Sequence, residues 1–294
     1  MPLNSPTDLP QAGRLYVVAT PIGHMADITF RAVNTLRQVD LIAAEDTRHT
    51  RRLLTAYDVD TPLVSYHEHN EQKRTPELID RLTKGASLAL VSDAGTPTVS
   101  DPGYRLIRAA AELKIQVVPV PGVSAVMAAL SASGLPTDSF TFLGFPVRKK
   151  NKREQQLQKL AEVPHTLVFY QSPRRVIAFL EEILAVLGDR PAVLARELTK
   201  LHEEFLRGTV SDIISQLKPR SEVKGECTLL VGGAETGQAD LRELDAAIAE
   251  ALARSDQSLS ELCRNLARRF GVPRKEIYAK ALAVKSGETP RMRD

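Results

Sequence analysis

The fold is decided by the stretch Leu88–Pro97, which reads LALVSDAGTP. Its four consecutive apolar residues predict a strand buried on both faces, and the turn of small residues after them lets backbone groups approach a ligand closely. Two other apolar runs end in similar turns, Ala19–Gly23 and Pro121–Ala125. Ligands bind at the carboxyl ends of parallel strands, so these three turns predict one pocket lined by backbone.

Around these turns, short apolar runs alternate with amphipathic segments, which is the order of an α/β protein with a parallel sheet. Asp27 is a predicted N-cap for the helix that runs through Leu36, and Pro76 is predicted to open another helix at its first turn. The predicted strands of this first half are Leu15–Ala19, Leu41–Ala44, Leu63–Ser65, Leu88–Val91 and Val117–Val120.

After Pro136 the pattern changes to strands with fewer helices between them, which predicts a mixed sheet with hairpins. These strands are Phe140–Phe145, His165–Gln171, Ala192–Leu198, Glu204–Gly208 and Cys227–Gly232. A helical tail follows, with the spacing of a helix-turn-helix, at Leu241–Ala253, Ser258–Phe270 and Pro273–Val284. We therefore predict an N-terminal α/β domain at 14–135, a second α/β domain at 136–233 and a C-terminal helical module at 240–286.

Several classes of protein are excluded by what the sequence lacks. No G-x-G-x-x-G follows the first strand and no G-x-x-x-x-G-K-[ST] occurs, so neither dinucleotide nor P-loop binding has support. No apolar run approaches the roughly 20 residues that cross a bilayer, and the start lacks the order of a secretory signal, so we expect a cytoplasmic protein. His67 and His69 have no third ligand at convincing spacing, and Cys227 and Cys263 stand too far apart for a zinc site. We expect no metal.

The positive charge is concentrated in the tail. From Ser258 onward there are nine Lys or Arg and four Asp or Glu, a balance of +5, whereas the preceding residues carry −2 of the formal +3. A second basic run lies at Arg148–Arg153. Solvated surface charge explains many such runs, but the two together favour contact with a polyanion such as RNA. The candidate RNA-binding residues are Lys149, Lys150, Lys152, Arg153, Arg268, Arg269, Arg274, Lys275 and Lys280.

With these motifs in place, the chain resembles the tetrapyrrole methylase superfamily of S-adenosylmethionine enzymes, and within it the branch that methylates small-subunit ribosomal RNA. The resemblance covers roughly residues 14–233. It rests on Thr20–Gly23, on Leu135-Pro136, and on the strings Ala43–Thr50, Ser92–Pro97, Ser100–Tyr104 and Ala195–Lys200.

The resemblance implies two α/β domains with S-adenosylmethionine in the cleft between them, and a homodimer. It also implies a reaction, 2′-O-methylation of a cytidine ribose in the decoding region of 16S rRNA, with the 30S subunit as the expected substrate. Carried over by position, the cofactor-binding residues are Pro21, Ala94, Gly95, Thr96, Val99, Ser124, Ala125, Gln171 and Leu198.

A ribose hydroxyl is a weak nucleophile, and a positioned base or a cation that favours the alkoxide would activate it. The catalytic candidates are Glu45, Asp46, Arg48 and Glu197, with Arg196 and Lys200 beside the last of them; a structural cluster of ion pairs is the other interpretation. Two other functions stay open, a methylase of a tetrapyrrole such as a corrin precursor and a non-catalytic RNA-binding module. The basic regions argue against the first, and the intact turns argue against the second.

Overall fold

The computed structural model describes residues 13–234, 241–254, 258–270, 272 and 274–286. Its described residues form two compact units. The first contains the residues up to Leu157 and Thr166–Gly232, and the second contains Gln158–His165 and the residues from Gly233 onward. Both sheets lie in the first unit. The domain boundaries predicted from the sequence stay a prediction.

A five-stranded parallel sheet in the order β3-β2-β4-β1-β5 forms the N-terminal part. It is built from β1 (Arg14–Val18), β2 (Leu41–Ala44), β3 (Leu63–Ser65), β4 (Leu88–Val91) and β5 (Gln116–Val120). The connecting helices are α1 (Phe30–Gln38), α2 (Thr47–Ala56), α3 (Glu71–Thr83) and α4 (Tyr104–Glu112). Every residue of β2 and β4 is buried, as their continuous apolar runs predict. The α/β order is confirmed.

The second sheet has the order β6-β7-β10-β8-β9, and only its β6–β7 pair is parallel. Its strands are β6 (Phe140–Phe142), β7 (Thr166–Gln171), β8 (Pro191–Arg196), β9 (Glu204–Thr209) and β10 (Cys227–Val231). The helices of this part are α5 (Ala125–Ser133), α6 (Lys150–Lys159), α7 (Val176–Leu187) and α8 (Val210–Leu217). The predicted mixed sheet is confirmed, and so is the class of two sheets with a helical tail.

Helix α5 links the two sheets. It leaves the end of β5 in the first sheet, and its buried residues Val126, Ala129 and Leu130 pack on the second sheet against Val168 and Leu230. Gly134 ends the helix in the left-handed region, at φ +78°. The turn after β5 therefore lies between the carboxyl end of β5 in the first sheet and the helix that packs on the second sheet.

Two helix starts differ from their predictions. Thr29, not Asp27, caps α1, because Asp27 lies in a short 3-10 turn and the Thr29 hydroxyl accepts from Ala32 N–H. Pro76 lies inside α3, because an earlier turn, in which Asn70 Oδ1 accepts from His67 N–H at 2.9 Å, begins the helix at Glu71. A proline inside a helix removes one hydrogen bond and its ring crowds the carbonyl of residue i−4, but α3 continues past Pro76 to Thr83.

The second unit has its own small core. It contains α9 (Leu241–Arg254), α10 (Leu259–Phe270) and α11 (Arg274–Ser286), as the tail pattern predicts. The helices bury Leu244, Ile248, Leu262, Cys263, Leu266, Ile277 and Ala281. None of the helices in the described residues has the length and apolar character needed to span a bilayer.

Candidate functional site

Two of the three small-residue turns are joined directly by backbone hydrogen bonds. Thr20 N–H donates to Gly95 O and Gly95 N–H donates to Thr20 O, each at 2.9 Å. The buried Thr20 hydroxyl donates to Ser92 O at 3.1 Å. The third turn is tied to the second, because Thr96 Oγ1 donates to Val123 O at 3.1 Å. The turns after β1, β4 and β5 therefore form one connected surface, as their position at the sheet edge predicts.

The loop after β4 holds an unusual backbone. Gly95 has φ +82° and Gly103 has φ +134°, and between them the non-glycine residues Thr98 and Ser100 have φ +73° and +70°. A Cβ on Gly103 would lie 2.7 Å from Leu90 Cδ2. Non-glycine residues in this region cost free energy and cluster at ligand sites, so the geometry marks the loop Gly95–Gly103 as functional.

A cleft of about 250 Å³ opens beside these turns, within the first unit. One wall comes from the loops of the parallel sheet, and the other comes from β7, β10 and the segments next to them. The lining residues are Ile22, Ala94, Gly95, Thr96, Val99, Ser100, Asp101, Ser124, Ala125, Phe145, Tyr170, Gln171, Ser172, Pro173, Gly225, Glu226, Cys227 and Thr228.

Most of the predicted cofactor residues meet in this cleft. Pro21 and Leu198 do not line it: Ile22 stands at the wall beside Pro21, and Leu198 is buried in the core cluster that contains Ile22. The sequence reasoning missed the wall from Gly225 to Thr228, which carries no motif. The predicted residues that line the cleft are Ala94, Gly95, Thr96, Val99, Ser124, Ala125 and Gln171.

The cleft has the chemistry to hold a nucleoside-like cofactor. Its apolar side chains, such as Ile22 and Val99, suit a ring, and its polar groups can orient one. Ser124 is the N-cap residue of α5, but its side chain makes no hydrogen bond to the first turn of the helix. Ser124 and Ala125 both line the cleft. The first N–H groups of α5 therefore have no side-chain cap from Ser124 at this wall of the cleft. The structure thus fits a ligand with both a ring and polar ends.

Asp101 is the acidic side chain most changed by this environment. It lines the cleft and is half-buried, and burial, with the charges of Glu45 and Asp93 nearby, raises the pKa of its carboxyl to about 6. A carboxyl with this pKa can accept a proton near neutral pH. Asp101 belongs to the Ser100–Tyr104 string but was not among the predicted catalytic residues. Its only sequence signal was its place in a small-residue loop after a buried strand.

The candidates Glu45, Asp46 and Arg48 form a hydrogen-bonded network with the turn after β4. Asp93 Oδ1 accepts from Asp46 N–H at 2.9 Å, and Glu45 Oε2 accepts from Asp93 N–H at 3.3 Å. Asp46 caps α2 through Arg48 N–H and pairs with the Arg48 guanidinium at 3.0 Å, contacts that hold the pKa of Asp46 at about 2. None of the three is among the residues that line the cleft, and Glu45 acts on it through Asp101.

Glu197 lies behind the opposite wall. Its φ is +53°, and its Oε1 accepts from Glu226 N–H and from Lys200 Nζ, each at 2.9 Å. A Cβ on Gly225 would overlap the Glu197 side chain. Arg196 pairs with Glu204 at 3.0 Å. These contacts indicate that Glu197 positions the Gly225-Glu226 wall, which matches the structural interpretation left open in the sequence analysis.

A family model described as Tetrapyrrole (Corrin/Porphyrin) Methylases matches residues 14–214. The chain belongs to this family. The resemblance drawn from the sequence motifs is thereby confirmed. The match covers all but the last of the segments that line the cleft, and that last wall, Gly225–Thr228, lies just beyond it.

Two curated relatives of this methylase are named Ribosomal RNA small subunit methyltransferase I. The one from Micromonospora olivasterospora is 46% identical and covers 91% of this chain and 86% of its own length. The one from Halalkalibacterium halodurans is 50% identical, over 75% of this chain and 76% of its own. Among solved structures, uroporphyrin-III C-methyl transferase from Thermus thermophilus complexed with S-adenyl homocysteine shares the fold, with a TM-score of 0.54, 19% identity, and 75% and 97% of the two chains covered.

The predicted RNA-binding residues have different surroundings. Lys149, Lys150 and Lys152 are exposed, but the Arg153 guanidinium is held by Glu182 and by the carbonyls of Val147 and Arg148. Arg153 therefore anchors this segment, and the RNA-binding role predicted for it stays a prediction.

In the second unit, Lys275 is exposed, whereas Arg274 bonds Ser260 Oγ and Lys280 pairs with Asp245, each at 2.7 Å. The side chains of Arg268 and Arg269 lie outside the described residues. Among the described residues, no three His, Cys, Asp or Glu side chains are grouped to hold a metal ion.

Replacing Asp101 by Asn keeps its shape and removes its charge, and we expect this variant to be more stable than the wild type above about pH 6. Between the ordinary pKa of 3.8 and about 6, the folded protein holds a proton that the unfolded chain releases, so stability falls as pH rises through that range. The expected gain is about 1 to 2 kcal/mol near pH 8 and shrinks toward zero near pH 4.

Urea unfolding at both pH values measures this difference. Asp60→Asn, at an exposed position of the same sheet domain, is the control and should leave stability unchanged at either pH. A lower stability of the Asp101 variant near pH 8 would mean that the carboxylate makes a net favourable contact, and would remove the reason to treat it as a poised base.

Proposed function

We propose that this chain is an S-adenosylmethionine-dependent methyltransferase that methylates a cytidine ribose 2′-hydroxyl in 16S rRNA, with the assembled 30S subunit as substrate. The observation that carries the proposal is a cleft with a poised carboxyl, Asp101, in a chain 46 to 50% identical to relatives named for small-subunit rRNA methylation. The cytidine, the 2′-oxygen and the decoding region are the finer part of the proposal. They are the parts that the experiment below tests.

The cofactor would be held by the residues that line the cleft from both sheets. Ala94, Gly95 and Thr96 offer backbone groups, Val99 offers apolar contact, and Ser124 and Ala125 present the N-terminus of α5. Gln171 is fixed in the second wall, because its Oε1 accepts from Ser172 N–H at 2.8 Å. When bound, S-adenosylmethionine supplies an electrophilic methyl group on a sulfonium, and leaves as a neutral thioether.

The residues of the chain position the ribose, exclude water from the reacting oxygen and provide a proton acceptor. Asp101 accepts the proton of the ribose hydroxyl, so that the oxygen gains nucleophilic character as it approaches the methyl group. Burial raises the pKa of Asp101 to about 6, and the charges of Glu45 and Asp93 add to this effect. The apolar wall of Ile22, Val99 and Phe145 excludes water from the reacting oxygen.

The acidic groups around the cleft argue against a tetrapyrrole methylase, and the loop that carries Asp101 argues against a non-catalytic RNA-binding module. A tetrapyrrole precursor carries several carboxylates, and Asp101, Glu45, Asp93 and Glu226 near the cleft would repel them. A ribose is neutral, and its flanking phosphates can remain at the rim. A non-catalytic RNA-binding module would have no use for a strained loop and a carboxyl with a raised pKa in the same cleft.

The activity is tested by mapping ribose methylation with mass spectrometry in rRNA from 30S subunits incubated with the protein and S-adenosylmethionine. We expect one methylated cytidine with the wild type. Asp101→Asn should lower kcat at least about 100-fold with little change in cofactor affinity. The wild-type kcat should fall as pH drops through about 6, because Asp101 becomes protonated.

Asp46→Asn serves as the matched control, since Asp46 lies in the same acidic region but is bound to Arg48 and does not line the cleft. It should retain most of the activity. Absence of rRNA methylation by the wild type would refute the function, whereas full activity of Asp101→Asn would refute only the assignment of the base.

We further propose that the C-terminal unit positions the RNA without taking part in the chemistry. Its exposed Arg264 and Lys275 lie in a region whose formal balance is +5. Reversing both to Glu should raise KM for 30S subunits. It should also make KM less dependent on salt, by the amount expected for the loss of about two phosphate contacts, because each phosphate contact releases counterions when it forms. The affinity for S-adenosylmethionine should not change.

Lys84→Glu is the control for net charge. Lys84 is exposed in the other unit, where its side chain pairs with Asp80. Methyl incorporation into 30S subunits, measured over a series of salt concentrations, distinguishes the effect of the double variant from that of Lys84→Glu. Superimposable salt curves for the double variant and the wild type would leave the unit as a structural element only.

The homodimer implied by the family resemblance is also part of the proposal. Phe30, the first residue of α1, and Leu201, in the segment after β8, are 93% and 92% exposed. A bond of 3.0 Å from His24 N–H to Thr199 Oγ1 joins the segments that precede them. Large apolar side chains this exposed favour a second copy as their partner. Leu201→Glu should shift the protein from dimer to monomer in sedimentation velocity, whereas Leu113→Glu, at another exposed leucine, should not. A monomeric wild type would refute this part.

A further inference from the structure

An exposed aromatic ring stands at the mouth of the cleft. Phe145 is 61% exposed and yet lines the cleft together with Asp101 and Tyr170. The chain is poor in aromatic residues, with 5% Phe, Trp and Tyr. Exposing one of these few rings beside the predicted reaction site costs apolar surface that folding would otherwise bury, and such exposure marks a recognition surface.

The ring is held in place by two others. The Phe145 and Tyr170 ring centroids are 5.5 Å apart, and the Tyr170 and Phe142 centroids are 5.0 Å apart. Phe142 and Tyr170 pack against the core cluster that includes Val168 and Leu230. Tyr170 N–H also donates to Gly144 O at 3.0 Å, next to Phe145. This series of rings fixes Phe145 before any substrate arrives, so little conformational entropy is lost when it binds one.

A basic loop follows Phe145 directly. Arg148, Lys149 and Lys152 are exposed, three to seven residues along the chain. The loop is fixed by Arg153, whose guanidinium binds the Glu182 carboxylate through two nitrogens and also bonds the Val147 and Arg148 carbonyls, each at 3.0 Å. An exposed aromatic face on the cleft wall is therefore followed, within seven residues of the chain, by three exposed cations on a segment whose backbone is held by Arg153.

We propose that Phe145 is the platform on which the base of the methyl-accepting nucleotide stacks, while Arg148, Lys149 and Lys152 bind the phosphates next to it. The inference rests on the proposed function and names how its substrate is held. A base has a π-face and its neighbouring phosphates are anions, and single-stranded RNA is bound by this combination of aromatic face and cationic groove. Because Phe145 and Asp101 line one cleft, a nucleotide turned out of its helix presents its ribose to Asp101 when its base lies on the ring.

Steady-state kinetics on 30S subunits test the platform with three substitutions. Phe145→Leu keeps an apolar side chain but has no ring face, and Phe145→Ala removes both; each should raise KM for the subunit about 10- to 100-fold, as loss of one base stack does. Phe145→Tyr should stay near the wild type. Leu113→Ala, at an exposed apolar position at the end of α4, is the control and should not change KM. A wild-type KM for Phe145→Leu would overturn the proposal.

A spectroscopic measurement separates the base from the cofactor as the occupant of the ring. The chain contains no Trp, so Phe145→Trp introduces a single tryptophan, whose emission can be excited apart from that of the tyrosines. S-adenosyl homocysteine alone should leave its emission unchanged, because the platform serves the substrate. Quenching by S-adenosyl homocysteine alone would assign the ring to adenine and overturn the inference. Either result, a wild-type KM for Phe145→Leu or quenching by S-adenosyl homocysteine alone, would refute the platform. If the wild type still methylates 30S subunits, the proposed function is unaffected.

Discussion

The reciprocal hydrogen bonds between Thr20 and Gly95 are the interaction on which the site depends. They join the turn after β1 to the turn after β4, strands that are neighbours in the first sheet. The bond from Thr20 Oγ1 to Ser92 O fixes the start of the same turn, in a buried position where an unpaired carbonyl would cost about 1 to 3 kcal/mol. With these turns locked, Thr96 can hold the turn that begins α5, and Ala94, Gly95, Ser124 and Ala125 present their backbone to one cleft.

The locked turns also explain how the loop Gly95–Gly103 keeps its strained backbone. Left-handed conformations at Thr98 and Ser100 are unfavourable by themselves and persist only where the surroundings fix both ends of the segment. Gly95 fixes one end through Thr20, and Gly103 fixes the other by fitting against Leu90, where a side chain would collide. The loop places Asp101 in the cleft, where burial raises the pKa of its carboxyl and the charges of Glu45 and Asp93 add to the rise. The raised pKa of Asp101 thus depends on where this backbone puts it.

Hydrophobic pattern and turn chemistry were enough to predict the strands of the described residues and the three turns beside the cleft, because both depend on local sequence. The individual cofactor-binding residues came from the resemblance to the family, and their role stays a proposal. The helix starts at Thr29 and Glu71 were missed, since a short turn before each one competes with the signals carried by Asp27 and Pro76. Asp101 and the Gly225–Thr228 wall were missed for another reason. The raised pKa of Asp101 arises first from burial and then from carboxylates 8 and 56 positions away in the chain, and the wall meets the first sheet only in the folded protein. The sequence displays charge but not what each charge is paired with, so the basic run did not predict the ion pair between Arg153 and Glu182.

Charge of opposite sign lies in the cleft and on the segment that follows its exposed wall. Asp101, Glu45 and Asp93 place carboxyls in and beside the cleft, while Arg148, Lys149 and Lys152 are exposed three to seven residues after the lining residue Phe145. Under the proposed function, the phosphates of the rRNA are attracted to this basic segment and repelled from the carboxyls, so a neutral part of a nucleotide is favoured inside the cleft. A ribose meets that condition. Burial raises the pKa of Asp101, and the charges of Glu45 and Asp93 add to the rise, so the carboxylates that help to make Asp101 a candidate base also favour a neutral substrate group beside it.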